Sequence, residues 1–121
     1  MDTHATLKLE LRDRLLELAR EYKKVCGHAA IFFLNMLAQW EPDEIVRQLV
    51  LSQMPASGFM KLYERRRLDA TVEYIAAYES KWRPILETEV TQAARRRLEK
   101  FGFNGPSGGW KALRRGAKPS E

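Results

Sequence analysis

The chain has 121 residues, 45% of them hydrophobic and 10% aromatic, which suffices for the core of one domain and is too apolar for a wholly disordered chain. Its longest apolar stretch, Ala29 to Ala38 interrupted by Asn35, falls short of the roughly 20 residues needed to cross a bilayer, and the first residues hold no apolar run of signal-peptide length. The 21 Lys and Arg exceed the 16 Asp and Glu by five, and Cys26 is the single cysteine, which excludes an intramolecular disulfide and fits a reducing, cytoplasmic setting.

From Thr6 onward, Leu7, Leu11, Leu15, Leu18, Tyr22 and Val25 recur at steps of three and four. That spacing predicts a long amphipathic helix with a mixed-charge outer face, ended by Gly27. His28 to Trp40 is apolar nearly all round, and a helix without a polar face must be enclosed by others. It is therefore expected to be the most buried element, with Phe33, Leu34 and Leu37 inside.

Glu41-Pro42-Asp43-Glu44 reads as a break and restart, since proline fits the first helical turn and carboxylates favour its positive end. The third helix that follows buries Ile45, Val46, Leu49 and Val50. Met54-Pro55-Ala56-Ser57-Gly58 is the clearest turn. A fourth helix is expected near 59–67 and a fifth near 69–78, with Asp69 as its cap. Trp82-Arg83-Pro84 punctuates again, and a sixth helix is expected from a Thr88 cap to a Gly102 stop.

No segment shows sustained strand alternation, so the predicted fold is all-α: a compact bundle of five to seven helices over residues 1–103. Residues 104–121 read as a flexible Gly-rich basic tail, and ending the chain after Gly102 is expected to leave stability nearly unchanged.

The block Gly58-Phe59-x-x-Leu62-x-Glu64-x-x-Arg67-Leu68-Asp69-x-Thr71-Val72-Glu73 resembles a pattern shared by a group of small bacterial proteins without an assigned activity. The likeness extends weakly to Phe33-Leu34-x-Met36-Leu37, to Trp82-Arg83-Pro84 and to Ala94-Arg95-x-Arg97-Leu98, covering about residues 28–102. It implies a compact bacterial domain and carries over no catalytic or binding residue.

The chemistry-bearing residues are sparse. One Cys and two His cannot supply a closed zinc site, so Cys26-Gly27-His28 reads as a helix end with a buried thiol. Asp69 and Glu73 stand four apart and would share a helical face, but capping by Asp69 and pairing of Glu73 with Arg66 or Arg67 is the simpler reading. No phosphate-cradling glycine loop follows a strand. No enzyme activity, metal or cofactor is expected.

The charge is unevenly placed. From Arg95 onward eight residues are basic and two acidic (Glu99, Glu121), leaving 13 basic and 14 acidic residues in the first 94. Arg95, Arg96, Lys100, Lys111, Arg114, Arg115 and Lys118 are therefore the candidate binding residues, a concentrated positive segment on a neutral body. Successive helical residues turn by about 100°, so neither Arg65-Arg66-Arg67 nor Arg95-Arg96-Arg97 can present all three side chains to one ligand. Residues 43–67 also admit a helix-turn-helix, although Phe59 and Leu62 make its second helix too apolar for groove reading. The expected function is a non-enzymatic contact to nucleic-acid backbone through the basic end. The alternative is a helical interaction module, a homodimer or a subunit of a larger assembly, whose basic end meets an acidic protein surface. Exposed apolar residues on the first helix would favour that alternative.

Overall fold

The computed structural model describes residues 3–105. It is all-α, with α1 (Thr3–Cys26), α2 (Ile31–Gln39), α3 (Pro42–Leu51), α4 (Ser57–Glu64), α5 (Val72–Tyr78) and α6 (Thr88–Lys100). Two short 3-10 segments, Leu68–Ala70 and Ser80–Ile85, flank α5, and no strand occurs among the described residues. No helix among them is long and apolar enough to cross a membrane.

Local signals set the helix boundaries. Gly27 leaves α1 with φ +84°, and Pro42 opens α3 with Asp43 and Glu44 in its first turn. At the end of α6, Phe103 N–H bonds Leu98 O at 2.9 Å and Gly102 N–H bonds Glu99 O at 3.0 Å, with Gly102 at φ +89°. These are the two crossed bonds of a Schellman cap, and the buried pair Phe103 and Leu98 supplies its apolar contact. Phe103 is thus a core residue, so ending the chain after Gly102 removes both packing and cap, contrary to the expectation for that cut.

Two caps differ from the sequence reading. Thr71, not Asp69, caps α5: its Oγ1 accepts the Tyr74 N–H at 3.1 Å and donates to Leu68 O at 2.7 Å. Asp69 falls in the preceding 3-10 turn, where it is exposed. Thr88 is the first residue of α6, and Glu87 occupies the cap position.

The centre of the molecule is α5 rather than α2. Ile75 and Ala77 of α5, Leu11 and Leu15 of α1, Ile45 and Val46 of α3, and Ala94 and Leu98 of α6 are all fully enclosed. Along α2 only Leu37 is buried; Phe33 and Leu34 are half-buried, while Ile31 and Phe32 are 62% and 76% exposed. The physical reason is placement. Helix α2 lies against α1 and α3 on one side, and nothing in the described residues covers the other.

Candidate functional site

The basic residues singled out in the sequence do not form one surface. Arg95 Nη2 donates to Ala77 O at 3.0 Å, and its guanidinium lies 4.7 Å from the Tyr78 ring centre. Arg97 is nearly enclosed: Nη1 donates to Glu73 Oε2 at 2.8 Å and to Leu49 O at 3.1 Å, and Nη2 donates to Ser52 O. Arg96 and Lys100 are exposed, four residues apart on α6. Lys111, Arg114, Arg115 and Lys118 lie outside the described residues, as does Trp110.

Three arginines share one structural role that the sequence did not reveal. Arg12 donates to Leu37 O and, at 3.0 Å, to Trp40 O at the end of α2; Arg97 serves the end of α3, and Arg95 the end of α5. The last carbonyls of a helix lack intrahelical partners and carry partial negative charge, so a guanidinium fork satisfies both needs. A sequence signal for this is lacking, because each partner carbonyl is 18 or more residues away.

The first triplet is equally divided, and it lies beyond α4 rather than on a helix. Arg65 Nη1 donates to Lys61 O, Arg66 is exposed at φ +59°, and Arg67 pairs with Glu21 at 2.8 Å and Asp69 at 3.1 Å. Asp69 and Glu73 therefore do not stand together. Glu73 is buried with Arg97, not with Arg66 or Arg67; burial pushes its pKa up while the guanidinium opposes that.

A cavity of about 280 Å³ opens between α1, the N-terminal end of α2, α4 and the start of α5. Leu18, Phe33, Phe59, Leu62 and Val72 are among its apolar walls. At its edge Lys61 Nζ is 3.2 Å from His28 Nε2, and the Tyr22 hydroxyl is 3.4 Å from the same nitrogen. Burial pushes the Tyr22 phenol up, with Cys26 adding to the effect and Arg65 pulling the other way. Tyr22 therefore keeps its proton at neutral pH. Cys26 is a free, half-buried thiol rather than a buried one, and no group of three or more His, Cys, Asp or Glu among the described residues is placed to hold a metal. Gly58 sits against the Tyr22 ring and Phe59 is buried, so the first turn of α4 faces the body of the protein.

The outer face of α2 is a second feature. Ile31, Phe32, Asn35, Ala38 and Gln39 are all exposed at helical spacing, with Trp40 following at 39% exposure. Near that end Leu9 of α1 is 67% exposed. Comparison with models of known protein families, with curated proteins and with solved structures finds no match to this chain.

Proposed function

We propose that the chain is a non-enzymatic helical interaction module that docks through the outer face of α2, either as a homodimer or as a subunit of a larger assembly. One observation carries this reading: Phe32 and Ile31 are 76% and 62% exposed on a helix whose sequence is apolar nearly all round. A helix of that composition is ordinarily covered on both sides, and exposed apolar clusters of this kind mark contact surfaces. Leu9, exposed on α1, adds to the same argument. The absence of catalytic work is supported by the separation of Asp69 and Glu73, each taken by a different arginine.

Sedimentation of the intact chain tests it. The expected result is a dimer, or a complex with a captured protein, that Phe32→Asp abolishes while the monomer keeps its helical circular-dichroism spectrum, since an exposed side chain contributes less than about 0.5 kcal/mol to the fold of the monomer. A chain that stays monomeric, with no partner lost in Phe32→Asp, would sink the proposal.

A second reading is favoured by the exposure of Arg96 and Lys100, which stand four residues apart on α6. In it these two, with Lys111, Arg114, Arg115 and Lys118, contact nucleic-acid backbone. Arg95 is supported less, being held by Ala77 and Tyr78. Replacing Arg114, Arg115 and Lys118 with Ala should then flatten the slope of log affinity against log salt by about two to three units. An unchanged slope removes those residues from the contact.

A further inference from the structure

The cavity beside α2 has an apolar interior and an uncompensated positive edge. Two polar groups on its wall are already satisfied within the fold: Thr71 Oγ1 by Leu68 O and Tyr74 N–H, and Glu73 by Arg97. What remains to receive a ligand is the apolar wall of Leu18, Phe33, Phe59 and Leu62, which the exposed Ile31 and Phe32 also line, together with the polar edge. A volume of about 280 Å³ lies at the lower end of small-molecule sites, which favours a compact ligand.

The edge sets the sign of charge. Lys61 carries three N–H donors, and its partner is the His28 imidazole nitrogen that Tyr22 also approaches. Among the described residues no carboxylate pairs with Lys61. Arg65, the residue one turn further along, adds a second positive charge, with its guanidinium on the Lys61 carbonyl. A carboxylate placed there would accept from Lys61 and from the Tyr22 hydroxyl, replacing a shared neutral acceptor with a charged one.

We propose that this cavity binds a small amphipathic carboxylate, its alkyl chain among Leu18, Phe33, Phe59 and Leu62 and its head group at Lys61 and Tyr22. The cavity shares Ile31 and Phe32 with the α2 docking face, but the proposal does not rest on that face, because a chain that stays monomeric presents the same cavity.

Calorimetric titration of the intact chain with octanoate, octanol and octylamine tests the proposal. Octanoate should saturate at one per chain, about ten-fold tighter than octanol and tighter still than octylamine, as one charge-assisted hydrogen bond provides. Lys61→Met should bring octanoate to within about two-fold of octanol while leaving octanol unchanged, and Lys61→Arg should retain the preference. Ala56→Trp, at an exposed position lining the cavity, should weaken octanoate and octanol alike by about ten-fold or more. Lys61 and Ala56 lie outside the core, so the variants remain folded by circular dichroism. Three ligands of equal affinity, no saturable binding, or octanoate binding indifferent to Lys61→Met or to Ala56→Trp would each overturn it.

Discussion

Arg97 and Glu73 form an ion pair at 2.8 Å inside the molecule, their side chains only 10% and 4% exposed, and the same guanidinium closes the end of α3. One side chain therefore ties α6 to both α5 and α3. The pair is the point at which the charged residues of the sequence become part of the core.

Removing the cation alone should be costly. Arg97→Met leaves a buried carboxylate without its partner and is expected to cost about 3–5 kcal/mol by urea unfolding at neutral pH. The double variant with Glu73→Met should recover part of that loss, since no charge is then left buried. Burial already pushes Glu73 up; a raised folded-state value means its contribution is fullest below the ordinary 4.5 and is lost as pH rises through the folded pKa. Without Arg97 only a backbone hydrogen bond still opposes the upward push of burial, so the deficit of Arg97→Met should shrink as the medium is acidified toward that value. A deficit that grows on acidification contradicts this account.

Glu79 should behave in the opposite sense. Burial pushes its carboxyl up, but Arg14, at 2.7 Å, and the Trp82 indole N–H, at 2.9 Å, together hold it below 4.5. A lowered folded-state value contributes stability above the unfolded pKa and loses it as pH falls through the folded one. Glu79→Gln should therefore lower the thermal midpoint at pH 7, with the gap to the parent chain closing in acid. A gap of constant size across that range would rule out the ionised carboxylate as its source.

The two Schellman caps make a matched pair. After α4, Arg67 N–H bonds Leu62 O at 2.8 Å and Arg66 N–H bonds Tyr63 O at 3.0 Å, so Arg66 occupies the left-handed position that Gly102 fills after α6. A side chain there costs about 1–2 kcal/mol. Arg66→Gly should raise stability by about 1 kcal/mol and Gly102→Ala should lower it by about 1–2 kcal/mol, both read by denaturant midpoint. Opposite signs are the essential result; a loss in Arg66→Gly would show that the arginine side chain contributes more than its strain removes.

The altered position of α2 has a measurable consequence. Leu15, fully enclosed, should cost about 2–5 kcal/mol when replaced by Ala. Leu34, half-buried on α2, should cost less than about 2 kcal/mol in the same monomer. Equal costs would place α2 in the core after all, or under a partner.

Helical periodicity, Gly27, Pro42 and Gly102 were enough to read an all-α chain and most helix ends, because those signals act over one or two turns of backbone. The stripe of Leu11, Leu15, Leu18 and Tyr22 was legible for the same reason. Local spacing could not say which flank of α2 is covered, since that depends on helices far along the chain, and the most apolar segment proved to be an edge while seven-residue α5 became the centre. Nor could composition tell a solvated arginine from one spent on a distant carbonyl. Arg95 and Arg97 look alike in a charge count, yet each is assigned by a partner 18 to 48 residues away. The Lys61, His28 and Tyr22 cluster is likewise built from the end of α1, the turn after it and α4. Hydrogen-bond partners separated by that much chain are chosen by how the helices pack, so only the tertiary structure decided where the charge, the cavity and the uncovered apolar face lie.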